Sequence, residues 1–157
     1  MVTSILVIRQ SRAGGTDRLV EAFVAGIELA AAEITSASET RVVAALDARP
    51  TDVLGAAAVV IATPEHFGSM AGATKHFFEE IWHDCLDRTA GLPWQLIVKA
   101  GNDGLGTIES VERLVTGLGW RAFRPPLLVV GDVSEADIEA ACELGATLAV
   151  SLDAGLL

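Results

Sequence analysis

Ala57-Ala58-Val59-Val60-Ile61-Ala62-Thr63-Pro64-Glu65-His66-Phe67-Gly68-Ser69-Met70-Ala71-Gly72 runs from an apolar segment through a loop into the start of a helix. The segment Ala57 to Ala62 has the length of a strand and no alternation of apolar and polar residues, so it reads as a strand covered on both faces. Pro64 pushes Thr63 out of the helical region and keeps the chain extended where the strand ends. Beyond the loop a helical pattern covers about Ala71 to Leu86, burying Phe77, Phe78, Ile81, Trp82 and Cys85. A doubly covered strand followed at once by a helix is half of a parallel crossover unit.

The same unit recurs in both directions. Apolar runs of strand length stand at Ile5 to Ile8, Val42 to Leu46, Leu96 to Ala100 and Leu127 to Val130. After the first comes a helix whose Leu19, Val20, Phe23, Val24, Ile27, Ala31 and Ile34 repeat at three- and four-residue steps. Another helix occupies about Ile108 to Leu118. The last starts at Ser134, where Ser-Glu-Ala-Asp forms a capping box with Asp137 as the returning carboxylate. Only Thr51 to Leu54 is left for a short helical turn between the second and third strands. Strands alternating with helices predict an α/β three-layer sandwich with a five-stranded parallel sheet, joined by right-handed crossovers in the order 2-1-3-4-5. At 157 residues the chain suits one domain, with no internal repeat or linker.

Composition excludes several functions. A formal charge of -10 opposes binding to nucleic acid or to an anionic membrane surface, since both require a basic face. No apolar run approaches the ~20 residues of a membrane span, and no signal-peptide core follows Met1, so a cytoplasmic protein is expected. Cys85 and Cys142 lack the spacing of metal ligands or a redox pair and read as buried free thiols. With such an acidic chain, any phosphate ligand has to be held by local dipoles and a few placed cations.

In a sheet of this order, ligands bind beyond the carboxyl ends of the strands, at the switch point between strands 1 and 3. The loops after strands 1, 3 and 4 are therefore expected to carry the site, while those after strands 2 and 5 only turn the chain. Three loops dense in small and polar residues stand there: Ser11-Arg12-Ala13-Gly14-Gly15-Thr16, Thr63 to Met70, and Gly101-Asn102-Asp103-Gly104-Leu105-Gly106-Thr107. The first leads into a helix start, whose unpaired N–H groups and dipole suit a phosphate monoester. Equally, glycine is common in any strand-to-helix turn, with Thr16 or Asp17 as a plain cap. In the second, His66 or Phe67 can cover a planar ring, or Phe67 can plug the core top while His66 stays in solvent. The third offers backbone N–H groups to the polar edge of such a ring, with Asn102 or Thr107 as added donors. Asp103 is expected to face solvent or cap the next helix, and Lys75 to lie on a solvated helix face. Trp82, Trp94 and Trp120 fall away from these loops and read as structural.

A dinucleotide-binding Rossmann domain is the nearest rival, with Asp47 as a mimic of its ribose-binding acid. Gly14-Gly15 lacks the Gly-x-Gly-x-x-Gly spacing, and Asp47 lies beyond the usual distance of ~20 residues. The P-loop signature is absent as well.

The three loops resemble those of the flavodoxin superfamily, above all its NAD(P)H-dependent FMN and quinone reductase branch. Ser11 to Thr16 is similar to the family's Ser-x-Thr-Gly-x-Thr phosphate loop, and Thr63 to Lys75 to its Thr-Pro-x-Tyr-Phe-Gly-Ser-Met-x-Gly-x-x-Lys segment. Ala13 stands where a hydroxyl is usual, His66 where Tyr is common, and the third loop lacks the longer glycine run of the quinone reductases. The resemblance implies FMN held by Ser11, Arg12, Ala13, Gly14, Gly15, Thr16, Pro64, Glu65, His66, Phe67, Gly68, Ser69, Gly101, Asn102, Asp103 and Gly104. It implies an oxidoreductase passing electrons from NADH or NADPH through FMN to a quinone, flavin or similar small-molecule acceptor. The cofactor carries that chemistry, so no catalytic side chain and no metal are required. The family also implies a homodimer or tetramer. A single-electron carrier and a flavodoxin-fold module without FMN are the alternatives.

Overall fold

A computed structural model describes residues 2–157. The chain forms β1 (Thr3–Arg9), α1 (Gly15–Ala30), β2 (Ser38–Ala44), α2 (Pro50–Leu54), β3 (Ala58–His66), β4 (Ser69–Met70), α3 (Gly72–Cys85), β5 (Pro93–Ala100), α4 (Leu105–Gly117), β6 (Arg121–Ala122), β7 (Leu127–Val130) and α5 (Glu135–Asp153). β2, β1, β3 and β5 lie side by side in that order, and β5 continues to β6 at one end and β7 at the other. All these pairs are parallel, with Val7 opposite Val42 on one side and Val60 on the other. This is the 2-1-3-4-5 sheet with its fifth position split.

The unbroken apolar strands follow from the two layers that cover them. Leu6, Ile8, Val59, Ile61, Leu96 and Val98 face Phe77, Phe78, Ile81, Val111 and Val115 of α3 and α4. Their neighbours Ile5, Val7, Ala58, Val60, Ala62 and Ile97 face Leu19, Phe23, Ile27, Ala141 and Leu148 of α1 and α5. Successive side chains alternate faces, so both must be apolar. α1 and α5 meet through reciprocal glycines. A Cβ at Gly26 would strike the Cys142 carbonyl oxygen, and one at Gly145 the Phe23 carbonyl oxygen.

Four expectations change. β2 spans Ser38–Ala44 instead of Val42 to Leu46, and Leu46 is exposed, because an edge strand is held by one neighbour and half its residues face water. β3 extends past Ala62 to His66, since the extended geometry at Thr63-Pro64 carries the ladder on to Lys99. The fifth strand is interrupted at Phe123 to Pro126, where two prolines remove ladder donors. Gln95, 1% exposed, spans the gap: its Oε1 accepts from Arg124 N (3.2 Å) and its Nε2 donates to Pro125 O (3.1 Å). Of the two free cysteines Cys85 is buried and Cys142 only half-buried. Trp94 and Trp120 are buried structural residues, and Trp120 Nε1 donates to Thr89 Oγ1 at 2.8 Å. Among the described residues no helix is long and apolar enough to cross a membrane.

Candidate functional site

The turn from β1 into α1 is built around Gly14, whose φ of 88° places it in the left-handed region that glycine enters without cost. Ser11 Oγ accepts from Gly14 N (3.2 Å) and closes the turn. α1 then begins at Gly15 with no side chain capping its first turn, so amide groups that an N-cap residue ordinarily satisfies stay open. The stem of Lys99, on β5, lies across this turn: a Cβ at Gly15 would sit 3.1 Å from Lys99 Cε. Arg12 and Arg18 are exposed. None of these three cations takes part in a salt bridge among the described residues. Asp17, in the first turn of α1, is paired with Arg9 at 2.9 Å.

Above this turn opens a cavity of about 680 Å³, lined by Ser11 to Thr16, Arg18, Pro64, Glu65, His66, Lys99, Gly101, Asp132 and Val133. The structure thus brings all of the first loop, Pro64, Glu65 and His66 of the second and Gly101 of the third to one place. Lys99, Arg18, Asp132 and Val133 join them. Lys99 hides in sequence as one polar residue in an apolar strand. Asp132 and Val133 follow β7, so the loop after the fifth strand does more than turn the chain.

The second loop is a hairpin. β3 runs to His66 and returns as β4 with His66 opposite Ser69, leaving Phe67 (φ 53°) and Gly68 (φ 71°) as the two turn residues. Positive φ at both positions is what a type I′ turn requires. Thr63 anchors its base: the buried Thr63 hydroxyl accepts from Ala71 N (3.1 Å) and Thr74 Oγ1 (3.0 Å), and donates to Pro64 O (2.9 Å). The tip leans on α4, where the Gly68 carbonyl fits against Gly106 and Met70 N donates to Ser110 Oγ at 3.2 Å. That lean carries Phe67, Gly68 and Ser69 out of the cavity lining. Phe67 neither plugs the core nor lines the cavity; its ring is fully in solvent.

The third loop differs most from expectation. Two of its amides are already taken: Glu65 Oε1 accepts from Asn102 N and Glu65 Oε2 from Gly104 N, both at 2.8 Å. Asp103 Oδ1 accepts from Leu105 N at 3.0 Å, the helix-capping role expected for it. Asn102, Asp103 and Gly104 lie outside the cavity lining, the Asn102 and Gly104 amides held by Glu65. Thr107 is buried inside α4 with its Oγ1 unpartnered, and offers the cavity nothing. Lys75 is on an exposed helix face, paired with Glu79 at 2.7 Å, where the ammonium bond holds the Glu79 carboxyl below its usual range. Asp47 is exposed and away from the cavity. No group of three His, Cys, Asp or Glu side chains among the described residues is placed to hold a metal.

No protein-family model matches the chain, and no curated protein matches it. Solved structures do. A flavodoxin from the domain Archaea superposes with a TM-score of 0.82 at 17% identity, over 96% of this chain and 99% of that one. The fold is flavodoxin-like. A flavodoxin, WrbA-like protein from Agrobacterium tumefaciens shares this flavodoxin fold with a TM-score of 0.72 at 18% identity, over 94% and 96% of the two chains. The Flv1 flavodiiron core from Synechocystis sp. PCC6803 matches 98% of this chain with 36% of its own length, at a TM-score of 0.80 and 15% identity. In this flavodoxin-like chain the cavity lies at the switch point between β1 and β3, the position from which such sheets bind ligands.

Proposed function

We propose that the chain binds FMN in the cavity above the β1–α1 turn, and acts as an oxidoreductase taking electrons from NADH or NADPH and passing them to a quinone, flavin or similar acceptor. The observation that carries this reading is the uncapped start of α1 beneath left-handed Gly14, ringed by Arg12, Arg18 and Lys99. In a chain of net charge -10, three cations outside any salt bridge lining one cavity with open helix amides make a local site for a phosphate monoester. A volume of about 680 Å³ falls within the roughly 300–1,000 Å³ of sites for ligands of this size.

The residues present fit the cofactor at its phosphate end. Gly15 and Thr16 amides, Lys99 and the two arginines would hold the phosphate, and Pro64, Glu65 and His66 would border the ring. FMN supplies two-electron and one-electron redox chemistry when bound, so the protein's part is to bind, orient and tune it. His66 is half-buried on the cavity wall and would be the ring neighbour in place of the exposed Phe67. A second reading, a flavodoxin-fold module without FMN, is favoured by the bonds that already occupy Asn102 N and Gly104 N.

The test is direct. Purified protein is reconstituted with FMN and its visible spectrum recorded, then NADH and NADPH oxidation is followed with a quinone as acceptor. A bound-flavin spectrum with turnover is the expected result. A bound flavin without nicotinamide oxidation points to the single-electron carrier, and no flavin retention to the cofactor-free module.

A further inference from the structure

Glu65 lines the cavity and commits both carboxylate oxygens to the third loop. One goes to Asn102 N, the other to Gly104 N, the N-cap of α4 in the left-handed region at φ 71°. An ionised acceptor at a helix start is stabilised by the same dipole that favours a bound anion. The chain therefore places one of its own anions in one helix mouth and leaves the neighbouring mouth, at α1, open. We propose that Glu65 is a resident occupant of the third-loop amides that a flavin ring must displace, so that this side chain sets how tightly the ring is held, independently of the phosphate.

Three features make displacement possible. Glu65 is only half-buried and borders the cavity, so its carboxylate can turn into solvent. Asn102 is exposed, so its amide is accessible once released, whereas Gly104 is buried. The base of the hairpin is fixed independently by Thr63, Ala71 and Thr74, so β3 does not depend on the Glu65 bonds for its position. The phosphate end has no carboxylate bonded to its amides, and its affinity is untouched by what Glu65 does.

This inference rests on the FMN reading, and one experiment separates the two. Apoprotein in the wild-type, Glu65→Gln and Glu65→Ala forms is titrated calorimetrically with FMN, with riboflavin and with inorganic phosphate. Glu65→Ala is expected to bind FMN and riboflavin about tenfold more tightly than wild type, with phosphate affinity unchanged. Glu65→Gln is expected to fall between, because its single carbonyl accepts in place of two carboxylate oxygens. FMN affinity that is unchanged or weaker in folded Glu65→Ala overturns the proposal and leaves FMN binding standing. Absence of FMN and riboflavin binding in every form overturns the FMN reading together with it. Should the variants fail to fold, wild type alone decides. Asn102 and Gly104 amides are expected to be protected from exchange without ligand and to shift in the NMR spectrum with saturating FMN, the Glu65 carboxyl carbon shifting with them. An unmoved Glu65 carboxyl under saturating FMN overturns displacement.

Discussion

α1 and α4 start in the same way and end up with opposite chemistry. Each follows a strand at the core of the sheet, and each has a left-handed glycine at its N-cap, Gly14 with φ 88° and Gly104 with φ 71°, without a capping side chain of its own. At α1 the first-turn amides stay open and cations gather round them. At α4 the Gly104 amide is bonded to Glu65 and the Leu105 amide to Asp103. A glycine turn before a helix thus leaves amides to be satisfied in both places, and at α4 alone the chain's own carboxylates take them.

The largest effect is expected from making the first turn imitate the second. Gly15→Asp brings a carboxylate to the open amides and against Lys99, and should weaken FMN binding about 100-fold, or about 2.7 kcal/mol, in a fluorescence titration. Riboflavin, which has no phosphate, should bind nearly as to wild type. Next comes the contrast between the glycines themselves. A Cβ at Gly104 would meet Leu128 Cδ1 at 2.5 Å, whereas one at Gly14 meets nothing within 4 Å. Gly104→Ala adds overpacking to backbone strain and should cost about 2–3 kcal/mol in urea unfolding; Gly14→Ala carries the strain alone, about 1 kcal/mol. Lys99→Met keeps the stem against Gly15 and removes the charge. It should lower FMN affinity about tenfold and flatten the dependence of that affinity on salt, since exposed charges are screened.

The smallest effect concerns a helix start closed in the ordinary way. At α5, Ser134 N donates to Asp137 Oδ2 (2.8 Å) and Asp137 N to Ser134 Oγ (3.2 Å). The bond from Ser134 N first, and then the one Ser134 Oγ donates to Asp137 Oδ2 (2.7 Å), hold the Asp137 carboxyl below its usual range. Its unfolded-state pKa is about 3.9, so between the two values the unfolded chain binds more protons and stability falls with falling pH. The contribution is complete above about pH 4 and is lost as pH drops through the lowered folded value. Asp137→Asn should remove about 0.5–1 kcal/mol at pH 7 and little at pH 2, measured by urea unfolding at both.

Most of the architecture is legible in the sequence because its signals are local. The doubly covered strands, the α1 and α3 patterns and the Ser134 capping box each lie within a few consecutive residues. β2 is misplaced because an edge strand loses half of the apolar pattern that marks it. The split fifth strand escapes because a side-chain amide, Gln95, replaces backbone pairing with residues some thirty positions on. At the site, the first loop is legible as a helix mouth rich in glycine. Lys99 is not, since nothing local shows that its stem crosses back over Gly15. Glu65 to Asn102 is a contact across 37 residues between two loops, and no periodicity signals it. The exposed ring of Phe67 follows from turn geometry that becomes visible only once Ser69 is paired with His66.

The central claim is that the open start of α1 with its three cations holds the phosphate of a flavin. The most direct measurement follows FMN fluorescence as apoprotein is added, with and without inorganic phosphate. Saturable quenching at one flavin per chain, shifted to higher protein concentration by phosphate, is the predicted result. Fluorescence that stays constant, or quenching that phosphate leaves unmoved, contradicts it.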